Sequence, residues 1–155
     1  MRIDIVAIGK IKERYLEQAV GDYSRRLSRY CTLNVRTAQE EPFADRDSEA
    51  RRAQLRAIEG RRLLSLVRRG SYVIASDLAG RELSSEELSA LIAGLATSGR
   101  SDITFLIGGP TGYSTEVLAQ ADDRVRFSRM TFPHQLMRVI MLEQIYRAFK
   151  IDRNE

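Results

Sequence analysis

The chain has 155 residues, of which 43% are hydrophobic and 30% charged, a size and balance that fit one globular domain around a single core. No apolar run nears the roughly 20 residues that span a bilayer, and the opening RIDIVAIGK is too short and polar for a secretory signal, so a cytoplasmic protein is expected. Cys31 stands alone, which excludes an internal disulfide framework, and one histidine, His134, cannot supply the clustered ligands of a structural zinc site, so no metal is expected.

The 25 basic residues outnumber 21 acidic ones for a net charge of +4, and 22 of the 25 are Arg, with Lys only at positions 10, 12 and 150. Guanidinium groups grip phosphate in a two-pronged way, so this skew suits a nucleic-acid backbone; a high-GC genome enriches Arg as well.

In chain order, Arg2 to Gly9 alternates, then turns fully apolar before a glycine, as a strand covered on both faces does. From Glu13 to Tyr30, Leu16, Val20, Tyr23, Leu27 and Tyr30 recur at steps of four and three, which predicts a helix with Arg25, Arg26 and Arg29 facing elsewhere. Thr32 to Thr37 reads as a second strand with one less buried face, suited to a sheet edge. Glu40 to Asp47 carries Pro42 and no periodicity, so a solvated loop is predicted, ending in Asp47 or Ser48 as a helix cap.

A basic helix follows between Arg51 and Arg69, with Leu55, Ile58, Leu63, Leu66 and Val67 on its buried side. Its seven arginines fit either an RNA-facing surface or a solvated face partnered by Glu49 and Glu59. Ser71 to Ser76 is the third predicted strand, and Asp77 to Arg81 a turn at its carboxyl end, where ligands of α/β sheets often bind. Ser84 and Glu87 form a capping box for a helix carrying Leu88, Leu91, Ile92 and Leu95 that stops near Ser98 and Gly99.

Ile103 to Ile107 is a buried fourth strand that runs into Gly108, Gly109, Pro110 and Gly112, a turn whose backbone either approaches a ligand or is simply tight. Ser114 caps a short helix through Ala121, and Arg124 to Ser128 gives a fifth strand. Pro133 and His134 then open a last helix with Leu136, Val139, Ile140, Leu142, Ile145, Tyr146 and Phe149 on a wide apolar face, which suits a core or a subunit contact. Strand and helix alternate throughout, so one α/β domain over residues 1–155 is expected, its sheet mostly parallel with helices on both faces.

Familiar sites are missing parts: there is no GxxxxGK[ST], no GxGxxG after a strand, and no GxSxG. His134 could move a proton, bind a phosphate, cap the helix or pack. Arg138 and Arg147 lie nine residues apart, about two and a half turns, so they point to opposite sides of the last helix.

At LIGGPTG (Leu106 to Gly112) and TFPHQLMRVIMLEQIYRAF (Thr131 to Phe149) the sequence resembles the RlmH family of SPOUT-class RNA methyltransferases, and the likeness extends to RIDIVAIGK, YSRRLSRY and the DLAG turn. The resemblance implies a C-terminal trefoil knot, a homodimer, and S-adenosyl-L-methionine (S-adenosylmethionine) as cofactor. It also implies methylation of N3 of pseudouridine 1915 in helix 69 of 23S rRNA on the assembled 70S ribosome. Carried onto this chain, the cofactor contacts fall on Ser76, Gly108, Phe127, Ser128, Arg129, Met130, Thr131 and Phe132. His134 and Arg138, with Arg residues of the other subunit, are expected to hold the target base and stabilise its developing charge. Family members commonly run on into a tail with a Tyr-His pair and a basic residue, whereas this chain ends at Arg153-Asn154-Glu155. A ribosome- or RNA-binding module that keeps the fold without catalysis is the rival reading.

Overall fold

A computed structural model describes residues 1–155. The chain alternates β1 (Arg2–Ile8), α1 (Arg14–Leu27), β2 (Thr32–Ala38), α2 (Glu49–Ser65), β3 (Tyr72–Glu82), α3 (Ser85–Thr97), β4 (Asp102–Ile107), α4 (Thr115–Gln120), β5 (Asp123–Arg126) and α5 (His134–Asp152). The five strands form one sheet in the order β2-β1-β4-β3-β5, and every pair is parallel. This is the mostly parallel α/β sheet that the sequence predicts, here wholly parallel and with β2 at an edge.

The two faces of the sheet are divided by the alternation of its side chains. On one face Ile3, Ile5, Ala7, Ile74, Ile103, Phe105 and Ile107 pack against Leu27 of α1, Leu88 and Ile92 of α3, and Met137, Met141, Leu142 and Ile145 of α5. On the other, Val6, Ile8, Val73, Ala75 and Leu106 meet Leu63 of α2 and Val117 of α4. Local signals start the helices where the sequence places them. The Ser48 side chain caps α2, Ser84 and Glu87 form the capping box of α3, and Ser114 caps α4.

Three expectations change. The helices predicted over Glu13–Tyr30 and Arg51–Arg69 are shorter, since the chain turns after Leu27 and Ser65. The fifth strand ends at Arg126, because the following residues leave the sheet edge to cross the strand ends. The predicted turn at Asp77 to Arg81 lies inside β3 as a jog: Ser76 and Arg81 both pair with Val125, so Asp77 to Gly80 bulge out between them. Asp77 Oδ1 accepts from Ala79 N at 3.1 Å, which holds the bulge in shape.

Gly80 is required at the foot of that bulge, since a β-carbon there would lie 2.6 Å from the carbonyl carbon of Arg124. From β5 at the far edge, residues 127–133 run back across the strand ends to β1, where Lys12 N donates to Gln135 Oε1 at 3.0 Å. A C-terminal trefoil knot requires such a path.

Candidate active site

Three segments meet above the carboxyl ends of β3 and β4. They are the bulge after Ser76, the glycine turn after Ile107, and the crossing from Phe127 to His134. They enclose a cavity of about 460 Å³, within the range of sites for small organic ligands.

The glycine turn is shaped by its own residues. Gly112 N donates to Gly109 O at 3.0 Å, and Gly112 has φ +88°, a left-handed conformation that a side chain would strain. A β-carbon on Gly108 would lie 3.1 Å from the Tyr113 ring, so the bare backbone of Gly108 leaves that ring room to fold under the turn. The Tyr113 hydroxyl reaches two carbonyls, Ser76 O at 2.8 Å and Leu106 O at 2.9 Å, and shares its one proton between them. Burial pushes the phenol well above its ordinary pKa, so it stays a donor.

Of the residues singled out in the sequence, Ser76, Gly108, Phe127, Ser128, Met130, Thr131, Phe132 and His134 all line this cavity. Ser128 Oγ accepts from Met130 N at 2.9 Å and tightens the crossing segment. Met130 is 74% exposed and Leu78, on the bulge, 56% exposed, so two apolar side chains stand free at the mouth. Arg129 is exposed and outside the lining residues.

His134 is the first residue of α5 and half-buried, and no side-chain cap forms at that helix start. Burial lowers its pKa, the Arg138 charge lowers it further, and Glu40 opposes both. A neutral imidazole facing the cavity can accept a proton or a hydrogen bond.

Arg138 stands one turn deeper and is only 1% exposed. Its Nη2 donates to Ile8 O at 3.0 Å and to Gly9 O, while Nε has no partner. It therefore ties α5 to the end of β1 beneath the cavity and does not line it. Arg147 is exposed and pairs with Glu143 at 2.5 Å, on the far side of α5 as the spacing predicts.

The residue pattern missed part of the wall. Tyr113, Arg126 and Met137 also line the cavity, beside Asp77 and Leu78 of the segment already expected to meet a ligand. Arg126 brings a cation, held by Glu82 Oε2 at 2.8 Å. No group of three or more His, Cys, Asp or Glu side chains could hold a metal ion, and no helix is long and apolar enough to cross a membrane.

Comparison with known proteins joins this geometry to a family. Residues 1–155 match the family described as "Predicted SPOUT methyltransferase". The chain is 48% identical over 155 residues to a ribosomal RNA large subunit methyltransferase H of Clostridium kluyveri, covering 100% of this chain and 98% of the relative. It is 50% identical, over the same shares, to the protein of that name from Clostridium novyi (strain NT). This chain belongs to the RlmH family of SPOUT methyltransferases. As an RlmH-family protein it has its cavity at the strand ends of the C-terminal half, where the glycine turn and the crossing segment bring main-chain groups within reach of a ligand.

Proposed function

We propose that this protein transfers a methyl group from S-adenosylmethionine to N3 of pseudouridine 1915 in helix 69 of 23S rRNA, working in the cytoplasm on the assembled 70S ribosome as a homodimer. The observation that carries this reading is the cavity lined by three segments distant in sequence, with His134 on its wall.

The residues present suit the cofactor. Gly108 offers backbone without a side chain, Ser76, Ser128 and Thr131 offer polar groups, and Phe127, Met130 and Phe132 offer apolar cover for a purine and a sulfonium. Arg129, next to them but outside the wall, is proposed to reach the cofactor only when the mouth is covered. When bound, S-adenosylmethionine supplies an electrophilic methyl group that needs little further activation.

The chain's own task is then to bring the base nitrogen in line and favour loss of its N3 proton. His134, neutral and at the wall, accepts or relays that proton. Arg138, buried beneath it, contributes positive potential to the developing imide anion and fixes the start of α5, with Arg126 nearer the cavity. The free Met130 and Leu78 at the mouth support a site completed by a second subunit or by the RNA.

The test is incorporation of tritiated methyl groups from S-adenosylmethionine into assembled 70S ribosomes and, separately, into free 23S rRNA, followed by mapping of the labelled nucleotide. Label confined to pseudouridine 1915 of assembled ribosomes is expected. Ribosome binding with no methyl transfer and no affinity for S-adenosylmethionine would establish the rival, a non-catalytic ribosome- or RNA-binding module.

A further inference from the structure

The glycine turn does not rest on the sheet alone, because three residues of α2 at spacing i, i+3 and i+4 lie beneath it. Arg56 Nη1 donates to Thr111 O at 3.3 Å, and its other nitrogen pairs with Glu49. Glu59 is a carboxyl group only 4% exposed. One of its oxygens accepts from Glu41 N at 2.9 Å, and the other, Oε1, has no partner. That free oxygen faces the turn: a β-carbon placed on Gly109 would lie 3.3 Å from it. Gly60 completes the stripe, since a β-carbon there would lie 2.5 Å from Ser114 Oγ, the cap of α4.

We propose that Arg56, Glu59 and Gly60 are positioning residues that set the shape of the Gly108–Gly112 turn, and through it the affinity of the cavity for the methyl donor, without touching the donor. None of the three lines the cavity. The choice of ligand rests on the function proposed above; the mechanical role of the stripe does not.

The chemistry fits a platform better than a solvated helix face. Spacing of three and four residues puts the three positions on one side of α2, with Arg56 on Thr111, Glu59 against Gly109 and Gly60 against Ser114, just past the turn. Glu59 forms no direct ion pair, since the Arg62 guanidinium, which favours its charge from a distance, is bonded to Glu41 at 2.6 Å and to Gln39 O. Burial raises its pKa, the hydrogen bond from Glu41 N opposes that, and the nearby Glu40 and Glu41 charges raise it further. One Glu59 oxygen holds the loop after β2 through Glu41 N while the other packs against the bare backbone of Gly109, so the side chain braces both segments.

The experiment compares wild type with Glu59→Ala, Glu59→Gln, Gly60→Ala and Arg56→Ala. Calorimetry with S-adenosylmethionine gives affinity, hydrogen exchange gives the opening of the Gly112 amide, and steady-state methylation separates KM for the donor from kcat. Glu59→Ala and Gly60→Ala should weaken donor binding and speed Gly112 exchange by about tenfold or more, the effect of one lost buried hydrogen bond or one forced contact. The donor KM should rise more than kcat falls, and Glu59→Gln, which keeps the shape, should restore most of the affinity.

Arg56→Ala, at a partly exposed position, carries the test if the core variants do not fold, and should raise Gly112 exchange measurably. Folded variants with wild-type Gly112 exchange and wild-type donor affinity would overturn the proposal. Should the wild type itself bind no S-adenosylmethionine, the methyltransferase reading fails, and Gly112 exchange alone decides whether the stripe holds the turn.

Discussion

The Tyr113 hydroxyl lies 2.8 Å from the carbonyl oxygen of Ser76, so the segment after β4 is fastened to the middle of β3 through one phenol. Ser76 is thereby fixed at the point where β3 begins its bulge. Tyr113→Phe removes the only donor those two carbonyls share. It should cost about 1 kcal/mol of stability in urea unfolding and weaken S-adenosylmethionine binding, because the cavity wall loses its tie while keeping its ring.

His134→Ala should lower methyl transfer about a hundredfold or more with donor affinity little changed, as expected for a proton acceptor that does not hold the cofactor. Its lowered pKa fixes the sign of two pH effects. The wild-type rate should fall only on the acid side of the usual imidazole value of 6.5, where the ring becomes charged. Because the unfolded chain binds the proton more readily there, stability should rise with pH through that window and level off above it. Both slopes should be reduced in His134→Gln; a rate profile that keeps its acid limb in that variant removes His134 from proton transfer.

Arg138→Met leaves the carbonyls of Ile8 and Gly9 without a donor inside the protein. A loss of about 3 kcal/mol is expected in equilibrium unfolding, typical of a buried charged group's hydrogen bonds. Activity should fall with it. Unchanged stability would show that Arg138 does not fasten α5 to β1.

Gly80→Ala would bring a methyl group to 2.6 Å from the Arg124 backbone. That neighbour is main chain and cannot rotate away, so β5 must shift from β3. Unfolding should be easier by about 1–3 kcal/mol, the usual cost of overpacking. Donor affinity should drop too, because the crossing segment starts at β5; calorimetry on the folded variant reads that part.

Arg124 and Arg129 are exposed and form no ion pair; Arg124 lies in β5 just before the crossing segment and Arg129 lies within it. If they meet phosphates, replacing both with Ala should weaken ribosome binding. It should also make the logarithmic salt dependence shallower by about one to two, the yield of one or two lost phosphate contacts. Unaltered salt dependence would put the RNA on another face.

Much of the fold was legible because its signals are local. Apolar runs ending in glycine marked β1 and β4, and Ser48, Ser84 and Ser114 marked helix starts that the structure keeps. The jog in β3 was not legible, because it depends on which residues of β5 lie opposite, and Asp-Leu-Ala-Gly reads as a turn in isolation. Arg138 was expected at the target base through the family resemblance, and only packing reveals that its guanidinium also meets the carbonyls at the end of β1. In α2 the arginines drew the eye to solvent, yet Arg56 and Arg62 bond to backbone carbonyls of Thr111 and Gln39. The one available clue was Glu59-Gly60 in the middle of a helix's buried side, where an acid is costly to bury and a glycine weakens the helix.

The seam between Lys12 and Gln135 joins positions 123 residues apart, and the cavity is not walled in until Met137 is in place. A ribosome synthesising this chain must therefore release nearly all of it before any donor can be held. Copies that stop short of Met137 should bind no donor, however well their first strands pair.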